Sequence, residues 1–78
     1  MRLISNNGVF DIPYEYAIVC ITKSVTGAHA VEVVIIGDDE PITLCLYRKK
    51  YDAEASVARM RDAYVRGDKF YQFKNATT

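Results

Sequence analysis

One stretch of this chain, residues 52–66, spaces its apolar side chains for a helix, and everything before it is short apolar runs broken by turn residues. Ala53, Val57, Met60 and Tyr64 stand at i, i+4, i+7 and i+11, flanked by Ser56 and Ala63, which makes one stripe on a 3.6-residue repeat. Glu54, Arg59, Arg61, Asp62 and Arg66 lie off that stripe. Upstream, residues 16–22 (YAIVCIT), 30–36 (AVEVVII) and 42–47 (ITLCLY) have strand length and are rich in side chains that fit a pleated surface. At 1.5 Å per residue the helix is about 21 Å long, enough to cross a small sheet. The sequence therefore predicts an α+β domain. Its antiparallel sheet has about five strands, an N-terminal hairpin plus a meander, and one amphipathic helix (52–66) packs on one face.

Asn7-Gly8 is the strongest hairpin signal, because a type I′ turn needs positive φ at both central positions. If Asn6 pairs with Val9, then Ser5 faces Phe10, Ile4 faces Asp11 and Leu3 faces Ile12. Met1, Leu3, Phe10 and Ile12 then share one face and Arg2 and Asp11 the other. Pro13 cannot donate to a ladder and ends the strand. The run 16–22 alternates so little that burial on both sides, or a place at an interface, is expected. Asp52 is the expected N-cap, Asp62 and Arg66 an i,i+4 pair, and Gly67 the C′ stop. Residues 69–73 (KFYQF) read as a short last strand or an aromatic tail at the sheet edge, and 74–78 are expected to fray.

Seventy-eight residues, half of them apolar, suit a single domain over 1–78 of modest stability, for which self-association would add buried area. A homo-oligomer, dimer or higher, is therefore expected. The formal charge is zero, which argues against a broad nucleic-acid-binding surface. That balance hides a split: residues 1–40 hold two bases and six acids, residues 41–78 eight bases and four acids. Cys20 and Cys45 lie in apolar runs without metal-ligand spacing and read as buried thiols of a reduced protein. The opening residues lack the apolar core of a signal peptide, and no apolar run is long enough to span a bilayer. A soluble, cytoplasmic protein without membrane contact is expected.

The chain is poor in catalytic residue types. His29, its one histidine, stands beside a turn, and Asp38-Asp39-Glu40 lacks the spaced oxygens of a calcium loop. Gly8, Gly27, Gly37 and Gly67 are isolated turn residues and build no phosphate loop. No catalysis, metal or cofactor is expected. Binding has more support. Tyr14 and Tyr16 offer contact area with few torsions to freeze, or else cap the core edge. Arg48, Lys49 and Lys50, between Tyr47 and Tyr51, crowd positive charge at a helix start whose free N–H groups suit an anion, or else end a strand in water and blunt a sheet edge. Asp38, Asp39 and Glu40 form either a plain acidic turn or a contact for those bases in another subunit.

The opening "MRLISNNGVFDIPYE" resembles short proteins encoded by phages and prophages of Gram-positive bacteria. These begin with a strand, a polar-Gly turn and a D-(I/V)-P-Y-E segment, and end their helix in "AY". The matching pieces are Leu3 to Ser5, Gly8, Asp11 to Glu15, Tyr47 and Ala63-Tyr64, with Glu54 early in the helix; the basic "YRKKYD" approach is less typical of them. The resemblance implies no activity. It implies an accessory role in the bacterial host cytoplasm, anti-defence or host-modulating, by binding a host protein or sequestering an anionic nucleotide. The alternative is a structural or oligomerisation module with no small-molecule ligand.

Overall fold

The computed structural model describes residues 1–74. Its first strands, β1 (Arg2–Ile4) and β2 (Asp11–Pro13), pair antiparallel with Leu3 opposite Ile12 and Ile4 opposite Asp11, the register expected from the turn. Leu3 and Ile12 are buried, while Arg2 and Asp11 form an exposed 2.7 Å ion pair on the other face. The turn itself closes one residue early: the Gly8 N–H donates to the Ser5 carbonyl at 3.0 Å, with Gly8 at φ 77°. Side chains inside the loop select this form. The Ser5 hydroxyl donates to Asn7 Oδ1 (2.6 Å) and accepts the Phe10 N–H (3.0 Å), and Asn7 Oδ1 also accepts the Val9 N–H. Phe10 is consequently 40% exposed instead of joining the inner face. Ser5 is itself buried, so Ser5→Ala strips the Phe10 N–H of its partner. It is expected to cost about 1–2 kcal/mol, read as a lower midpoint in a thermal melt.

After a single 3-10 turn at Tyr14–Tyr16, the meander follows as β3 (Ala17–Lys23), β4 (His29–Ile35) and β5 (Ile42–Tyr47), in spatial order β3-β4-β5. β4 is central and buries Ala30, Val31 and Val33. A register shift between Val31 and Glu32 lets β5 bury two consecutive residues, Leu44 and Cys45, which strict alternation forbids. The helix α1 (Lys50–Arg66) then leads to β6 (Phe70–Gln72), which pairs parallel to β1, so the second sheet has the order β2-β1-β6. The α+β class with a helix on a sheet is as expected. The strands, however, divide into two three-stranded sheets, and β6 settles the reading of residues 69–73 in favour of a strand.

Three details differ from expectation at the helix. It starts at Lys50, and its N-cap is Lys49, whose carbonyl accepts the Asp52 and Ala53 N–H groups; Asp52 sits inside the first turn, where its charge favours the dipole. The buried face is Ala53, Ser56, Met60 and Ala63, rotated from the expected stripe so that Val57 is half-buried and Tyr64 is 43% exposed. Arg66 pairs with Asp68 at 2.8 Å rather than with Asp62. Gly67 does end the helix, at φ 83°, its N–H donating to the Ala63 and Tyr64 carbonyls.

The two sheets join along β5. The Asn6 N–H donates to the Leu44 carbonyl at 2.9 Å, while within the other sheet the Phe73 N–H extends the β6–β1 pairing by donating to the Ile4 carbonyl at 3.0 Å. Lys74, assigned by the sequence to a frayed tail, is held by the Tyr47 hydroxyl, which donates to its carbonyl at 3.1 Å; residues 75–78 of that tail lie outside the described residues. Leu3, Ile12, Val31, Val33, Leu44, Tyr47, Met60 and Phe73 form one core between the sheets and the helix.

Candidate functional site

The helix packs chiefly on β4, β5 and β6, and the inner face of β3 is only partly covered. A cleft of about 400 Å³ opens there. Its floor is Ala17, Val19 and Ile21, the alternate residues of β3 that point toward the helix, and all three are only half-buried. Val57, Met60 and Arg61 form the wall on α1. Tyr14 closes one end, stacked on Tyr64 at 4.4 Å between ring centroids and 24° between planes. The expectation that residues 16–22 are buried on both sides is corrected: no residue of β3 is buried, Ile18 is 58% exposed, and Cys20 is an exposed thiol rather than a buried one. The cause is position, since β3 ends its sheet and the helix packs chiefly on β4, β5 and β6.

Local bonds aim Tyr14 into the cleft. Pro13 closes β2, the Tyr14 N–H donates to the Met1 carbonyl at 2.9 Å, and the N-terminal ammonium donates to the Glu15 carboxylate at 2.8 Å. That ammonium holds the Glu15 carboxyl below its ordinary range. The cleft therefore combines an apolar floor with the exposed guanidinium of Arg61 and an aromatic end. Its chemistry suits an apolar body that carries a negative charge.

The residues singled out in the sequence scatter. Tyr14 reaches the cleft, while Tyr16 is 62% exposed beside it in sequence. Tyr47 is 2% exposed and belongs to the core, which removes it from the expected contact surface. Burial is the main cause that pushes its phenol far above the ordinary value. Arg48, Lys49, Lys50 and Tyr51 are exposed at the start of α1, and Asp38, Asp39 and Glu40 are exposed in the β4–β5 loop. Among the described residues, none of these acids and bases forms a salt bridge. His29 is half-buried at the start of β4, opposite Lys23 and Tyr47. Among the described residues no group of His, Cys, Asp or Glu has the arrangement of a metal site.

Sequence reasoning missed Val19, Ile21, Val57 and Arg61 as site residues. The weak alternation of residues 16–22 was the only signal, and it reads equally as a buried strand. Comparison with protein-family models, curated proteins and solved structures finds no match in any of the three. No helix among the described residues is long and apolar enough to cross a membrane.

Proposed function

We propose that this chain is a small binding protein that seats an apolar, negatively charged segment of a protein partner in the cleft between β3 and α1. The observation that carries this reading is the half-covered inner face of β3 opposite Val57, Met60 and Arg61. A domain this small has little core to spare, and half-exposing a row of Val, Ile and Ala forgoes stability unless something else covers it. An apolar floor favours a peptide side chain over a nucleotide, whose base and phosphates ask for polar partners. The resemblance of the opening segment supports placing the protein among phage accessory proteins that modulate a host by binding rather than by catalysis.

Anilinonaphthalene sulfonate, an apolar anion, is a direct probe of the slot. Its fluorescence is expected to rise with the native protein, to weaken several-fold in Arg61→Glu, and to be largely lost in Val57→Asp, with melts showing both variants folded. Equal dye binding by all three proteins refutes the cleft as a binding site.

A further inference from the structure

The open edge of β3 lies beside the cleft, and its hydrogen-bonding phase is set by its neighbours. The Ile36 N–H donates to the Tyr16 carbonyl and the Ser24 N–H to the Ala28 carbonyl, so the even-numbered residues bond across to β4. Val19, Ile21 and Lys23 therefore turn their N–H and C=O groups away from the sheet, as does the carbonyl of Ala17, whose N–H already donates to Tyr14. The opposite edge, β5, takes a bond from outside its sheet, the Asn6 N–H donating to the Leu44 carbonyl. Among the described residues β3 receives no such bond, and it has no proline and no bulge; its single charge, Lys23, stands at the very end. Such an edge is a template for another strand.

Charge says which strand. The end of this sheet marked by Ala17, Ile35 and Ile42 carries Asp38, Asp39 and Glu40, all exposed, while Glu15 there is already paired with the N-terminal ammonium. The other end, marked by Lys23, His29 and Tyr47, carries Lys23, Arg48, Lys49 and Lys50, also exposed. About 20 Å of strand separates the two poles.

We infer that two copies of this chain pair through β3, antiparallel, about a two-fold axis at Cys20, to form one continuous sheet. In this register Val19 faces Ile21 of the partner subunit, Ile18 faces Thr22 of the partner subunit, and Ala17 faces Lys23 of the partner subunit. Outward-facing groups meet outward-facing groups, all seven residues of β3 are paired, and no two charges are opposed. Sliding by two residues either way leaves strand ends unpaired. The antiparallel arrangement also sets the basic pole of each copy alongside the acidic pole of the other, so the two charge distributions lie head to tail; parallel pairing would bring like poles together. The contact is isologous and closes, which limits assembly to a dimer. The two clefts then meet across the β3 strands in a single trough, floored by Val19 and Ile21 of both subunits with Arg61 of each at its walls.

Sedimentation across concentration, joined to cysteine cross-linking, tests this. The native protein is expected to show a reversible monomer–dimer equilibrium that weakens with added salt. Oxidation with copper–phenanthroline is expected to link Cys20 to Cys20. In a Cys20→Ser background, an equimolar mixture of Ile18→Cys and Thr22→Cys chains is expected to cross-link at least tenfold faster than either alone. Ile21→Pro, which deletes an outward N–H without touching the β3–β4 ladder, is expected to leave a folded monomer. A native protein that stays monomeric at every concentration overturns the dimer. So does a dimer in which Val25→Cys, in the Cys20→Ser background, links as readily as Cys20. Dye binding by the native protein separates this outcome from the cleft: a native monomer that binds the dye refutes the pairing alone, and a native dimer that does not bind it refutes the cleft alone.

Discussion

Phe73→Ala is expected to lower the stability of this protein by about 3–5 kcal/mol, enough to leave much of the chain unfolded at 37 °C. Phe73 is 1% exposed and the largest of the fully buried side chains. It packs edge-on against Tyr71 at 5.1 Å, and its N–H donates to the Ile4 carbonyl, so it fastens the last strand to the first. Removing the ring opens a cavity where the two sheets and the helix meet, and it weakens the segment that brings Lys74 to Tyr47. Urea unfolding followed by circular dichroism measures the loss. For a domain of this size each kcal/mol corresponds to roughly 4–8 °C in midpoint. A cost below about 1 kcal/mol would mean that the C-terminal strand is not part of the cooperative core.

The second large effect is alkaline unfolding controlled by Tyr47. Burial raises the pKa of its phenol far above the ordinary value of 10.0, because the phenolate has no place between Leu44, Cys45 and the helix. The folded state therefore holds this proton more tightly than the unfolded chain does. The stability it confers is complete below about pH 10, the unfolded value, and is lost as pH rises beyond that. The expected slope is about 1.4 kcal/mol per pH unit above that point. Tyr47→Phe sacrifices the hydrogen bond to Lys74, at about 0.5–1.5 kcal/mol near neutrality, but flattens the alkaline limb. Melts of both proteins between pH 8 and pH 12, values chosen to bracket a phenol pKa near 10, test the assignment. Parallel curves would show that another group drives the transition.

Much of the fold is legible along the chain. Asn7-Gly8 and the residues around it determine that Leu3 meets Ile12, and the extra bonds of Ser5 and Asn7 move the turn without moving the register. The helix is legible from its period, and Gly67 from the left-handed conformation it supplies. The site is not legible in the same way. Tyr14 was singled out as an aromatic contact and does reach the cleft, yet Tyr47 carries an equal aromatic signal and is core. Aromatic side chains serve both purposes, and only the surrounding elements decide between them. The bases Arg48 to Lys50 and the acids Asp38 to Glu40 are clear as a charge split in the sequence. Which ends of the sheet they occupy depends on the β3-β4-β5 order and is read from the pairing.

Local chemistry thus determined the elements: one helical period, the turns, the hairpin register and the helix stop, each set by residues within a few positions of one another. Tertiary structure decided how those elements cover each other. The bulge opposite Val31 and Glu32 turns Leu44 and Cys45 inward together, Phe73 draws the C-terminus onto β1, and the helix that joins them settles over β4, β5 and β6. The rotation that buries Ser56 and Ala63, leaves Val57 half-buried and exposes Tyr64 follows from that placement. Burial is a sum over contacts between residues distant in sequence, so no window of the chain contains it. That sum leaves the inner face of β3 half-covered, and the cleft follows from it.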